Sequence, residues 1–162
     1  MVSIAREPVR RLFGYAVRAE IDSNRIYTRL ARRVRNALLK EKFLVLAFEE
    51  KKHKETLENL FDSLYGGEKL QLPECVDEKL LPVVHLRPSS SLVDILYQAM
   101  EAEKSAQNFY AGLVKRVKPP TRKILEYLSK VEKSHFFMLR SEYAMAQQFE
   151  DYGERDIDKV VT

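Results

Sequence analysis

Each of four long apolar stripes in this sequence carries a glutamate near its middle, and that pattern limits the fold more than any other feature. The stripes advance mostly by three or four residues, the spacing of one helical face. The first, over about 7–34, reads Phe13, Ala16, Val17, Glu20, Asn24, Tyr27, Ala31, Val34. The second, over about 38–65, reads Phe43, Leu46, Ala47, Glu50, His53, Leu57, Leu60, Phe61, Leu64, and Gly66-Gly67 ends it. The third, over about 92–117, reads Leu92, Leu96, Ala99, Glu103, Ala106, Gln107, Tyr110, Leu113, Val117, and Pro119-Pro120 breaks it. The fourth, over about 121–149, reads Leu125, Leu128, Glu132, His135, Leu139, Tyr143, Ala146, Phe149.

With only 5 glycines and 6 prolines, the chain lacks the turn density of a barrel or sandwich, and the prediction is an all-α fold. The connections after the first and third segments are short, so each pair forms an antiparallel hairpin. Residues 68–90 hold Pro73, Pro82 and Pro88 and are long enough to travel the length of a helix. They are expected to run along the outside of the domain, with a short helical turn near Val76 to Leu80. Ser90 or Ser91 should cap the next helix. Four helices with one long crossover between the second and third make the ferritin-like four-helix bundle arrangement. Residues 1–150 form that domain in this reading. Residues 151–162 form a tail, either frayed or a small docking segment.

A buried glutamate is costly unless it is paired, hydrogen-bonded or bound to metal, and these stripes hold no lysine or arginine. Divalent cations would solve the electrostatic problem. Two stripes add a histidine three residues after the acid, in FEEKKH (Glu50, His53) and VEKSH (Glu132, His135). Residues at that spacing share a helix face. Two Glu-x-x-His motifs plus a glutamate from each other helix make the ligand set of a dinuclear iron or manganese site. Glu20, Glu50, His53, Glu103, Glu132 and His135 are therefore the candidate metal ligands. Glutamate is 17 of 162 residues, so both core histidines would follow one at this spacing by chance about once in a hundred.

Depth supports the same set. Glu20 lies 16 residues before the turn near Asn36, and Glu50 to His53 lie 14 to 17 after it. Glu103 lies 16 before Pro119, and Glu132 to His135 lie 13 to 16 after it. At about 1.5 Å per residue, all six reach one level of an antiparallel bundle. The hairpins also repeat. AEIDSNRIYTRLARRV, from Ala19, and AEKSAQNFYAGLVKRV, from Ala102, share six identities, among them Glu20 with Glu103 and Tyr27 with Tyr110. Tyr27 and Tyr110, with Asn24 and Gln107 one turn nearer the acids, are the candidates for hydrogen bonds that steady the ligands. Glu49 and Glu101 lie one and two residues off the ligand positions and are expected to point away. His85 reads as a loop histidine, and Cys75 receives no role.

One cysteine excludes an internal disulfide framework, a four-cysteine zinc site and a rubredoxin-type iron site within this chain. The net charge is +4. Arg25, Arg29, Arg32, Arg33 and Arg35 read as a solvated basic helix end, with no nucleic-acid motif beside them. No apolar run approaches the roughly 20 residues of a membrane span, and the N-terminus lacks a signal-peptide pattern. A cytoplasmic location, without membrane or nucleic-acid partners, is the expectation.

The segments LAFEEKKHKETLENLF and AMEAEKSAQNFY resemble the second and third helices of the rubrerythrin branch of the ferritin-like superfamily, and the likeness extends over about 13–149. The resemblance implies that Glu20 and Glu103 are terminal ligands, that Glu50 and Glu132 bridge, and that His53 and His135 serve one metal each. It implies a di-iron centre, with manganese as the alternative metal, that reduces hydrogen peroxide or dioxygen in oxidative-stress defence. With one cysteine here, the electron donor is expected to be a separate protein. One turn after Glu103 stands Ala106, where rubrerythrins supply a further glutamate. A homodimer is the expected assembly. The alternative function is ferritin-like iron storage through ferroxidase chemistry, against which the basic charge weighs slightly.

Overall fold

The structure, a computed structural model, describes residues 3–149 and 151–154. It contains α1 (Val9–Arg33), α2 (Ala37–Leu64), α3 (Leu92–Val114) and α4 (Thr121–Gln148), with no strand among the described residues. Local chemistry sets the boundaries. Asn36 caps α2 by accepting from the Leu39 N–H at 3.0 Å. Ser91, rather than Ser90, caps α3 by accepting from the Asp94 N–H at 3.1 Å, and Asp94 adds an acid to the positive end of the helix dipole. Arg32 and Arg33 close α1 at its negative end. Beyond α2, Gly67 takes φ +86°, the left-handed backbone that glycine adopts without a Cβ penalty.

Short turns join α1 to α2 and α3 to α4, and each hairpin is closely packed. Across the hairpins, Lys42 meets Glu142, Glu49 meets His135, and His53 meets Glu132. These pairs run in opposite chain directions, so α2 and α4 are antiparallel. Because α4 also turns back on α3, α2 and α3 run parallel, as the long crossover requires.

The apolar core falls into two blocks. One gathers Leu12, Phe13, Leu57, Phe61, Leu113 and Leu125 at one end of the bundle. The other gathers Leu30, Leu39, Phe43, Leu46, Leu96 and Leu139 at the opposite end. The polar side chains of the stripes lie between them.

The crossover is more embedded than an outer strap. Val76, Leu81 and Val84 are buried and join the two blocks. Near Val76 to Leu80 the backbone makes one hydrogen-bonded turn, with the N–H groups of Leu80 and Leu81 donating to the Asp77 carbonyl at 2.9 and 3.0 Å. Arg33 fastens the far end, donating to the carbonyls of Arg87 (3.0 Å), Pro88 (3.1 Å) and Ser90 (2.5 Å). Part of the basic helix end is thus committed to holding the crossover.

The described start of the tail docks. The Gly153 carbonyl accepts from the N–H groups of Arg35 (2.8 Å) and Asn36 (3.1 Å). The Tyr152 hydroxyl donates to Glu142 at 2.5 Å, and Glu142, itself buried, also receives the Lys42 ammonium. Residues 155–162 lie outside the described residues.

At Gly14 the crossover backbone passes so close to α1 that an added Cβ would collide with the Gln71 carbonyl oxygen. Gly14→Ala should therefore destabilise the fold by about 1–3 kcal/mol in a denaturant titration, the usual range for overpacking. Gly112→Ala, where the added carbon meets only the Ile4 side chain, should cost less. Equal effects of the two would refute the close packing of crossover on α1.

Candidate metal centre

Glu20 from α1, Glu50 and His53 from α2, Glu103 from α3, and Glu132 and His135 from α4 meet between the two apolar blocks. All six are buried, none more than 5% exposed. Their ligand atoms form two groups, each within 4.8 Å: Glu20, Glu50, His53 and Glu132, and Glu50, Glu103, Glu132 and His135. The groups share Glu50 and Glu132. Each position therefore has one histidine, one carboxylate of its own and two carboxylates in common.

Both imidazoles turn Nδ1 into the cluster. His53 Nδ1 lies 2.8 Å from Glu132, 3.6 Å from Glu50 and 3.7 Å from Glu20. His135 Nδ1 lies 3.1 Å from Glu50, 3.2 Å from Glu132 and 3.5 Å from Glu103. The two rings stack with centroids 5.6 Å apart and planes 19° from parallel. Despite these short separations, Glu50 Oε1, Glu132 Oε1 and His53 Nδ1 are buried without a hydrogen-bond partner. Glu50 Oε1 lies on the His135 side and Glu132 Oε1 on the His53 side. A native protein seldom leaves such groups orphaned, and a cation at each position would satisfy them. The residues present thus fit a pair of divalent metals with oxygen and imidazole ligands.

Electrostatics shows the cost of the arrangement without cations. Burial, then the charge of Glu50, pushes the Glu20 carboxyl up to about 8. Burial and the same charge raise Glu103 well above the ordinary carboxylate range. Burial presses Glu50 and Glu132 upward too, but the polar groups close around them carry both below the ordinary range, Glu20 and the two imidazoles beside Glu50 and the imidazoles beside Glu132. Burial works against charge on His53 and His135, yet the surrounding carboxylates outweigh it and raise both. The cluster therefore retains protons where metals would otherwise sit.

The tyrosines of the repeat reach across the hairpins. Tyr27 of α1 donates to Glu103 Oε1 of α3, and Tyr110 of α3 donates to Glu20 Oε1 of α1. Burial, then the carboxylate it faces, lifts each phenol well above its usual value, so both stay protonated donors. The two amides do something else. Asn24 lies one turn past Glu20 on the flank toward α2, and its Nδ2 donates to the Ala47 carbonyl at 2.6 Å. Gln107 offers its backbone carbonyl to Ser129 Oγ at 3.0 Å. Both tie helices within a hairpin, and no described contact of either reaches a carboxylate.

Glu49 corrects an expectation. One residue from Glu50, it lies half-exposed on the flank of α2 that meets α4, and its Oε2 lies 2.5 Å from His135 Nε2. Glu101 is exposed, as expected. His85 contacts Glu78 at 3.2 Å on the surface, and Cys75 is exposed and free.

A four-helix bundle holding two cation positions that share a pair of glutamates is the architecture of a dinuclear carboxylate metalloprotein. The rubrerythrin family model matches residues 12–143, and the chain belongs to that family. A hypothetical protein from Pyrococcus furiosus is 31% identical over 91% of this chain and 98% of its own, with a TM-score of 0.80. A ferritin-like diiron-carboxylate protein assigned from Thermotoga maritima is 23% identical, covers 85% of this chain and 95% of its own, and superposes with a TM-score of 0.70, a likeness of fold. No curated protein matches the chain.

Protons and metals compete for Glu20 and Glu103, and the sign follows from the shifts. Carboxyls raised in the folded state favour folding most below about 4.5, and that contribution is lost as pH rises toward about 8. Metal uptake releases the same protons, so affinity rises through the same window. Iron or manganese should stabilise the protein by about 2.7 kcal/mol at a hundredfold excess over the dissociation constant. The rise in melting temperature should be larger at pH 8 than at pH 6. Glu50→Ala, which removes a carboxylate common to both positions, should abolish the metal-dependent rise. An equal rise at both pH values would refute the competition.

Proposed function

We propose that this protein is a di-iron oxidoreductase that reduces hydrogen peroxide or dioxygen, with electrons from a separate donor protein, and acts in the cytoplasm against oxidative stress. The carrying observation is that Glu50 and Glu132 belong to both four-residue ligand groups, which fits two metals side by side. Two bound ferrous ions would supply one electron each for the two-electron cleavage of an O–O bond.

What the chain contributes is position, exclusion and protons. The histidines and shared glutamates come from α2 and α4, whereas Glu20 and Glu103 face each other from α1 and α3. Between α1 and α3, against Glu20, Glu50 and Glu103, lies a cavity of about 20 Å³ bounded by Ala16, Ala19, Ser23, Ala102, Ala106 and Leu81. That is room for about one water-sized molecule. A second cavity of about 30 Å³, reaching Tyr27, Val76 and Val84, shares Ala19, Ser23, Leu81 and Ala102 with it. Leu81 of the crossover borders both. The small side chains of α1 and α3 leave this space beside the carboxylates. Ala106 enlarges this face at the position where a further carboxylate would otherwise stand.

Reduction of peroxide to two waters consumes two protons. Tyr110 and Tyr27 hold phenolic protons on Glu20 Oε1 and Glu103 Oε1, beside the cavity. They keep each terminal carboxylate oriented and its outer oxygen neutralised as charge changes at the centre. Among the described residues no helix is long and apolar enough to cross a membrane.

The test is peroxide consumption by iron-loaded protein with a rubredoxin-type donor. Sustained turnover that Glu50→Ala abolishes supports the reading; no consumption overturns it. Leu81→Trp should fill the space beside the site and slow turnover at least severalfold while leaving metal uptake intact. The proposed homodimer should show a solution mass near twice 18.9 kDa. A large shell that accumulates iron would instead establish storage.

A further inference from the structure

The two hairpins repeat, but the surroundings of their histidines do not. Aligning Glu50 and His53 on Glu132 and His135 places Glu49 opposite Val131. Glu49 Oε2 lies 2.5 Å from His135 Nε2, on the side of the ring away from the cluster. At the matching position of the repeat stands Val131, whose side chain has no polar atom. Every carboxylate contact recorded for His53 is made by Nδ1.

We propose that Glu49 is a positioning residue for His135, and that the substitution of Val131 at the matching place makes the two metal positions unequal, the one served by His135 binding the more tightly. The proposal rests on the two-metal reading above.

The argument is one of tautomer and orientation. An imidazole offers Nδ1 to a metal only when its proton sits on Nε2. Glu49 accepts that proton's hydrogen bond, which holds the ring in the ligating tautomer and fixes its rotation before metal arrives. His53 reaches the same geometry, with its ring 19° from parallel to that of His135. Without a matching acceptor it has more states to lose on binding. The Glu49 side chain is 41% exposed, so its bond to His135 is partly solvated. Outer partners of this kind commonly change metal affinity about 10–100-fold, and the partial exposure favours the lower part of that range.

Cobalt(II) titration of the full chain, followed by visible absorption against a competing chelator, reads the two affinities. Wild type should load in two steps about tenfold or more apart. His135→Ala should remove the tight step, and His53→Ala the weak one. Glu49→Ala should weaken the tight step to the level of the other, whereas Glu49→Gln, which still offers an oxygen to Nε2–H, should retain part of the difference. Val131→Glu should tighten the weak step. In the proton spectrum of the cobalt-loaded protein, one hyperfine-shifted imidazole N–H should be protected from solvent exchange, and Glu49→Ala should lose that protection. If Glu49→Ala lowers only the melting temperature, Glu49 is a brace between α2 and α4 and the proposal fails. Two equal steps in wild type overturn the proposal and leave the two-metal reading standing. No metal uptake overturns both.

Discussion

The rest of the structure depends on the mutual repulsion of four carboxylates held out of water in the middle of the bundle. Nothing in the stripes neutralises them with a lysine or arginine, and the two imidazoles offset only two of the four, so Glu20 and Glu103 hold protons. Such a layer survives only when the remaining structure fixes its position. The two apolar blocks do this from above and below, each drawing side chains from all four helices. The hydrogen bonds Tyr27–Glu103 and Tyr110–Glu20 do it across the hairpins, so each half of the repeat holds a ligand of the other. The site is therefore also the main polar joint between the hairpins.

The crossover follows from the same constraint. Parallel α2 and α3 place both Glu-x-x-His motifs on the neighbouring helices α2 and α4 and leave Glu20 and Glu103 to face one another. An up-down-up-down bundle with a short second loop would change that neighbourhood. Having to travel the length of a helix, the chain uses the journey. Val76, Leu81 and Val84 line the α1–α3 face near Glu20 and Glu103, and Gly14 lets the backbone settle closely on α1. The segment that solves the topology thereby also forms the wall of the cavity beside the site.

The fold was legible because it rests on features that a single helix carries alone: period, cap residues, breakers and the depth of each acid from its turn. The six cluster residues were legible for the same reason. The tyrosines came from the repeat, which relates positions in different helices. What a single stripe cannot show is which flank of a helix meets a neighbour. Glu49 sits 100° from Glu50 in an ideal helix, which puts it off the ligand face but on the α2–α4 seam. Asn24 and Gln107 fail in the converse way. They lie close to the ligand stripe, yet the Asn24 amide donates to the Ala47 carbonyl and Gln107 takes the Ser129 hydroxyl on its backbone carbonyl, each within its own hairpin. Glu142 escaped notice because its burial depends on Tyr152 of the tail and Lys42 of another helix, a contact set with no local pattern.

Internal repetition usually suggests two equal halves, and here the backbone and the six inner residues obey that expectation. The departures lie one layer out. Glu49 has no acidic counterpart at Val131, and Ser129 Oγ of α4 donates to the Gln107 backbone carbonyl, whereas at the matching place in α2 the Ala47 backbone carbonyl accepts from the Asn24 side chain. The inner layer resists divergence because removing one carboxylate shared by both positions damages both at once. The outer layer is freer, since a lost hydrogen bond there costs about 0.5–1.5 kcal/mol rather than a ligand. A duplicated site can therefore keep its twofold geometry while its two halves diverge in affinity, through residues that never enter the cluster.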